Sequence, residues 1–156
     1  MITCTFEDGG TGSLRHVVVN AIILKDNKLL LTKRSPRITE GNKWSLVGGF
    51  VDRDENLEEA IKREIFEETG YRTTEIKLFM VLDKPDRRNE DRQNVAFAYI
   101  CKIGEQEGQP DWESTAQEWF AFNSLPKEEE MAFDHLEVIQ IYLNNKDFVT
   151  PLFISK

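Results

Sequence analysis

The sequence predicts an α/β domain, with strands and helices layered around one core. Three observations predict it. Nearly apolar, β-branched runs occur along the chain together with segments of helical spacing. One of those segments, about Leu57–Thr69, carries helix punctuation at both ends. The length of 156 residues suits one domain, long enough to fold around its own core without disulfides or metals.

Taken in order, residues 1–13 read as an irregular arm, with Gly9, Gly10 and Gly12 close together. His16–Leu24 (HVVVNAIIL) reads as a strand buried on both faces. Lys25-Asp26-Asn27 is a polar turn, and Lys28–Lys33 (KLLLTK) returns as the second arm of a hairpin. Arg34–Lys43 is a polar loop. Trp44–Val51 (WSLVGGFV) forms short extended pieces broken by Gly48-Gly49. Asp54 or Asn56 caps the helix at Leu57–Thr69, and Gly70 closes it. Strands follow at Glu75–Asp83, Gln93–Ile103 and Gln117–Phe122, separated by loops at Lys84–Arg92 and Gly104–Ala116. Leu136, Ile139 and Leu143 have helical spacing, which predicts a second helix over about Phe133–Asn144.

Composition excludes several classes. Lys+Arg is 20 against 28 Asp+Glu, for a net charge of −8. Such a chain is a poor binder of nucleic-acid backbone. No stretch approaches the roughly 18 apolar residues of a membrane span. The start, MITCTFEDGGTGSLRH, lacks the basic-then-apolar pattern of a secretory signal. Cys4 and Cys101 lie far apart without CxxC spacing, which predicts neither a disulfide framework nor a zinc site. Cytoplasm is the expected location by default.

The first helix carries the chemistry. At about 100° per residue, Glu64, Glu67 and Glu68 fall within an arc of about 100° that overlaps the stripe of Leu57, Ile61 and Ile65. Like charges at these spacings repel, and burial worsens the repulsion. A hard divalent ion such as Mg²⁺ or Mn²⁺ removes the difficulty, because it prefers carboxylate oxygen. Arg63 can hold Glu67 one turn on. A solvated acidic face is the bland alternative, and the surrounding spacing decides against it. From Gly49 to Tyr71 the sequence reads GFVDRDENLEEAIKREIFEETGY. It resembles the Nudix box, G-x5-E-x7-R-E-U-x-E-E-x-G-U, where U is bulky and apolar. Gly49, Glu55, Arg63, Glu64, Ile65, Glu67, Glu68 and Gly70 all match, while Tyr71 stands where an aliphatic residue is commoner. At residue frequencies of about 7%, a chance match is on the order of 10⁻⁶. The resemblance covers about residues 14–145. One departure precedes the box: many relatives carry LPGG, and Val47 replaces that proline.

The resemblance implies a fold, an activity and roles. The fold is a mixed sheet sandwiched between helices (α/β/α), with the box as a loop–helix–loop, spanning 1–156 as a single domain. The activity is hydrolysis, with Mg²⁺ or Mn²⁺, of the pyrophosphate bond in a nucleoside diphosphate linked to another moiety. An ADP-ribose or nucleotide-sugar substrate is favoured, and a sanitising pyrophosphatase for 8-oxo-dGTP or other dNTPs is the alternative. Glu64, Glu67 and Glu68 become metal ligands and catalytic residues, with the carbonyl of Gly49, or of Gly48 beside it, as a backbone ligand. Arg63 orients a ligand glutamate, and Glu55 supports. The general base falls to Glu68 or Glu64, with Glu113 and Glu118 as outside candidates. A homodimer is expected from the resemblance alone.

Substrate contacts are read from residue types. Arg34, Arg37 and Arg87 are candidate phosphate partners. Trp44, Phe50, Phe97 and Tyr99 are candidates for base stacking, with core packing as the alternative. Phe97 and Tyr99 share a strand face. His16 and His135 read as ordinary packing or surface residues. An inactive nucleotide-binding or sensor module is the competing class, and the complete set of box acids argues against it. An isomerase on the same scaffold needs a cysteine near the box, which Cys4 and Cys101 do not supply.

Overall fold

A computed structural model of the chain describes residues 2–85 and 93–155. Its strands are β1 (Ile2–Thr5), β2 (Thr11–Leu14), β3 (Val17–Lys25), β4 (Lys28–Arg34), β5 (Trp44–Ser45), β6 (Val47–Phe50), β7 (Tyr71–Leu82), β8 (Val95–Gln106), β9 (Ser114–Ala121) and β10 (Leu152–Ile154). The helices are α1 (Leu57–Thr69) and α2 (His135–Asn144), with a 3₁₀ turn at Glu128–Glu130.

The large sheet runs in the order β10-β7-β8-β3-β4-β5, with β6 added on β3 and β9 on β4. It is mixed: β3 pairs parallel with β8, and β10 parallel with β7, while β7–β8 and β4–β9 are antiparallel. Alternation along β3 divides the core. Val18 and Ile22 join Ala96, Ala98, Val138 and Ile139 on the α2 side. Val19, Ala21 and Ile23 join Ala60, Ile61 and Ile65 on the α1 side. Each side chain pair two apart shares a face, so a strand apolar on both faces needs a helical layer on each. The α/β/α sandwich is the result. No described helix is long and apolar enough to cross a membrane.

The start of α1 is a reciprocal cap. The Asn56 side chain accepts from the backbone N–H groups of Glu58 and Glu59, and the Glu59 carboxylate accepts from the Asn56 N–H. Such a cap contributes about 1 kcal/mol. Gly70 ends the helix at φ 75°, and a Cβ there would lie 2.3 Å from the Gly108 carbonyl oxygen.

Three local expectations are corrected. Residues 1–13 are not irregular, because β1 and β2 form an antiparallel hairpin, with Gly9 turning at φ 84°. The second helix begins at His135 rather than Phe133, because Phe133 stands at φ 50°, outside the right-handed helix. Strand β10 was not expected; it adds itself in parallel to β7. Val47, in place of the family's commoner proline, is fully buried in β6 opposite Ala21.

Candidate active site

Helix α1 holds its acids in two groups. The guanidinium of Arg63 is the hub of the first. Its Nε and Nη2 grip both oxygens of Glu55 at 3.1 and 2.7 Å. Its Nη1 donates to Glu64 Oε1 at 2.8 Å and to Glu67 Oε2 at 2.9 Å. Nη2 also donates to the carbonyl of Phe50 at 3.0 Å, tying the helix to β6. The fork holds the Glu55 carboxyl below its ordinary range and raises Arg63 further.

Glu68 forms the second group alone. It is 7% exposed. Its Oε2 accepts from the hydroxyls of Thr32 (2.9 Å) and Ser114 (3.2 Å), and its Oε1 from the Gly48 N–H (3.2 Å). Burial still dominates and lifts its pKa to about 7. Glu64 is also lifted to about 7, again by burial first, with the Glu67 and Glu113 charges adding to it against the pull of Arg63. Two carboxylates reluctant to ionise thus stand one helical turn apart.

The surrounding backbone is fitted to these groups. A Cβ on Gly49 would lie 2.4 Å from Glu64 Oε1, so only glycine lets the carboxylate approach the strand. Gly48 stands at φ 154°, and a Cβ there would lie 2.0 Å from the Val19 carbonyl oxygen. The loop after β8 is fastened to the end of α1. Glu107 and Gly108 donate to the Gly70 carbonyl, and Asp111 N donates to the Glu67 carbonyl at 2.8 Å.

A cavity of about 280 Å³ opens over this arrangement. Its lining combines acids, Asp52, Glu64, Glu67, Glu68, Asp111 and Glu113, and the cations Arg63 and Arg34 with the neutral or aromatic side chains of Val18, Asn20, Phe50, Asn94, Phe133 and His135. The Arg34 guanidinium stacks 5.1 Å from the Phe133 ring. His135 Nδ1 accepts from the Leu46 N–H at 3.1 Å, which places the imidazole proton on Nε2. Among the described residues, no three His, Cys, Asp or Glu side chains converge as a metal-ligand group. Arg63 holds Glu64 and Glu67, while Thr32, Ser114 and Gly48 hold Glu68.

The sequence profile of the NUDIX domain matches residues 14–141. The chain belongs to the Nudix family. It is a Nudix hydrolase by relationship as well. The ADP-ribose pyrophosphatase of Methanocaldococcus jannaschii is 39% identical over 132 residues, covering 84% of this chain and 75% of that protein. The crystal structure of a Nudix hydrolase from Nitrosomonas europaea superposes with a TM-score of 0.75 at 25% identity, covering 95% of this chain and 84% of that one. An ADP-ribose pyrophosphatase from Streptococcus suis shares the fold, with a TM-score of 0.69 at 22% identity over 90% of this chain and 99% of that one.

Within this Nudix hydrolase, the structure brings Gly49, Arg63, Glu64, Glu67, Glu68, Glu113, Arg34 and Phe50 to one cavity. Glu55 stands behind it, on Arg63. Other candidates lie elsewhere. Phe97 and Tyr99 pack in the core beneath α1. Trp44 packs edge-on against Phe120, with centroids 4.9 Å apart. Arg37 is exposed outside the cavity wall. Glu118 is exposed on β9 opposite Leu31. Arg87 lies outside the described residues. Sequence reasoning missed Asn20, Asp52, Asn94, Asp111, Phe133 and His135. Asn20 alone carried a signal, as a polar residue inside HVVVNAIIL.

Proposed function

We propose that this Nudix hydrolase is a divalent-cation-dependent pyrophosphohydrolase acting on a nucleoside diphosphate linked to a second moiety, of ADP-ribose or nucleotide-sugar type. One observation carries the reading: a single cavity is lined both by the box carboxylates and by neutral or aromatic side chains, Asn20, Phe50, Asn94 and Phe133 among them. Acids for phosphate chemistry and neutral or aromatic side chains in one cavity suit a substrate with a phosphate and a non-phosphate part. The relative from Methanocaldococcus jannaschii, an ADP-ribose pyrophosphatase, points the same way.

The residues present fit a hard divalent cation. The donor set is all oxygen, from Glu64, Glu67 and Glu68, with the Gly49 carbonyl as a candidate backbone donor. Burial disfavours the charged forms of Glu64 and Glu68, lifting both to about 7, and a cation would favour them. When bound, a cation of this kind lowers the pKa of water and offsets charge on the leaving phosphate. The chain does the rest. Arg63 orients Glu64 and Glu67. Arg34 faces the cavity where a second phosphate charge can lie. Glu113, exposed at the wall, is better placed than Glu68 to accept the proton of the attacking water. Glu68 already accepts three hydrogen bonds. Asp52 and Asp111 add to the acidic lining, which leaves an anionic substrate dependent on the cation.

The test is a hydrolysis panel with Mg²⁺, containing ADP-ribose, a nucleotide sugar, a dinucleotide, 8-oxo-dGTP and the ordinary dNTPs. The reading expects a preferred two-part diphosphate, with ADP-ribose giving AMP and ribose 5-phosphate. The rate is expected to climb from pH 6 toward pH 9, as Glu64 and Glu68 ionise. Preference for 8-oxo-dGTP supports the sanitising alternative. A rate that falls steadily over that pH range contradicts the metal-bound-water reading.

A further inference from the structure

We infer that Thr32 is a positioning residue of the cation site: its buried hydroxyl, together with that of Ser114, occupies Glu68 Oε2 and leaves Oε1 as the oxygen offered to the cation. The inference rests on the cation-dependent reading proposed above and names what aims one of its carboxylates.

The reason begins in β4. Its run KLLLTKR is buried from Leu29 to Thr32. Alternation puts Thr32 on the same face as Leu30, which packs with Ile61 and Ile65 of α1. Thr32 is fully buried. A hydroxyl there weakens the fold unless it is bonded, and valine has nearly the same shape without that cost. Packing therefore does not explain a threonine here. Its bond does, because Thr32 Oγ1 donates to Glu68 Oε2 at 2.9 Å.

Protons fix the direction of that bond. A carboxylate that ligates a cation has no proton to give, so each hydroxyl facing it donates. Thr32 gives its one hydroxyl proton to Glu68. Behind it, Ser45 is fully buried on β5, opposite Thr32 in register. Ser45 Oγ lies 3.4 Å from both Thr32 Oγ1 and the Thr32 carbonyl oxygen. The Ser45 proton therefore points at Thr32, and the Thr32 proton points away from it, at the carboxylate.

Lone pairs then decide which oxygen is left. Each carboxylate oxygen has about two acceptor sites. Oε2 accepts from Thr32 and, at 3.2 Å, from Ser114, which fills it. Among the described residues, the one donor to Oε1 is the Gly48 N–H at 3.2 Å, which leaves a site open. The cavity lies on that side, since Gly48 lines it and Thr32 and Ser114 do not. Glu64 reaches the next residue of the same strand: a Cβ on Gly49 would lie 2.4 Å from Glu64 Oε1. Two box carboxylates thus meet consecutive glycines of β6, and the Thr32 hydroxyl keeps one of them turned that way.

The test is Mn²⁺ binding by the whole chain at about pH 8, read by electron paramagnetic resonance, with thermal unfolding of each variant to show that it is folded. Thr32→Val keeps the shape and removes the donor. Thr32→Ser keeps the donor and removes a methyl group. Thr32→Val is expected to weaken Mn²⁺ binding by about tenfold or more, the scale for partners that orient a metal ligand. Thr32→Ser is expected to stay within about threefold of the parent. The reverse order overturns the proposal, because packing rather than the hydroxyl then sets the site. Ser114→Ala, at a half-buried position, removes the other donor to the same oxygen and is expected to weaken binding in the same direction. It decides the matter if Thr32→Val does not fold, and parental affinity there overturns the proposal. No Mn²⁺ binding by the parent sinks the cation reading and this inference with it. Binding lost in Glu68→Gln but parental in Thr32→Val overturns this inference alone. Binding sensitive to Thr32, with no turnover of a two-part diphosphate, sinks the substrate reading and leaves this one standing.

Discussion

Replacing Glu68 by glutamine is expected to lower kcat by about 10²–10³-fold, the scale of losing one preorganised electrostatic contact, and to make the metal-free protein more stable. The two effects share one cause. Glu68 is almost fully buried, and burial outweighs the three hydrogen bonds that favour its charged form. A glutamine fits the same donors with little rearrangement. Its Oε1 accepts from the Gly48 N–H, and its Nε2 donates to the hydroxyls of Thr32 and Ser114, which rotate to accept. The fold loses a buried charge, and the site loses an oxygen ligand. Steady-state kinetics and thermal unfolding on the same preparations check both halves. Loss of activity together with loss of stability would assign Glu68 to the fold rather than to the site.

The second large effect is a stability that depends jointly on pH and on divalent cation. Glu64 and Glu68 are lifted from 4.5 to about 7 in the folded chain. Each binds its proton more tightly when folded than when unfolded. The resulting stability is fully present below about pH 4.5 and is lost as pH rises through about 7. The loss is on the order of 3 kcal/mol for each group. At about 2–4 °C per kcal/mol for a chain of this size, the metal-free Tm should fall by about 10 °C or more between pH 5 and pH 8. Millimolar Mg²⁺ or Mn²⁺ should reverse the fall at pH 8 and do little at pH 5, because the cation binds only the ionised carboxylates. Glu68→Gln should flatten both dependences. A Tm indifferent to pH and to Mg²⁺ would contradict the buried-carboxylate account.

Helix α1 was legible because its signals are local. The cap at Asn56, the glycine at 70 and the aliphatic stripe all act within a few turns, and α1 runs over the expected Leu57–Thr69. The box acids were legible because their spacing alone brings them to one arc. The hairpin of β3 and β4 followed from a polar turn between apolar runs, and Asp26 and Asn27 both adopt positive φ there. What failed to show needs long-range contact. Phe97 and Tyr99 looked like stacking residues because a strand covered on both faces offers no polar side to mark its core. His135 lines the cavity from the start of α2, bonded to Leu46, 89 positions away. Asp111 and Glu113 reach the wall because backbone bonds to Gly70 and Glu67 fold their loop back. Trp44 is used up by Phe120 and by the backbone bond from Ala132 to its carbonyl.

The most direct measurement is hydrolysis of ADP-ribose by the parent chain and by Glu68→Gln, each with Mg²⁺ and with chelator. The account predicts turnover to AMP and ribose 5-phosphate in the parent with Mg²⁺, and near-background rates in the other three arms. Turnover that persists in chelator, or in Glu68→Gln at the parental rate, would contradict it.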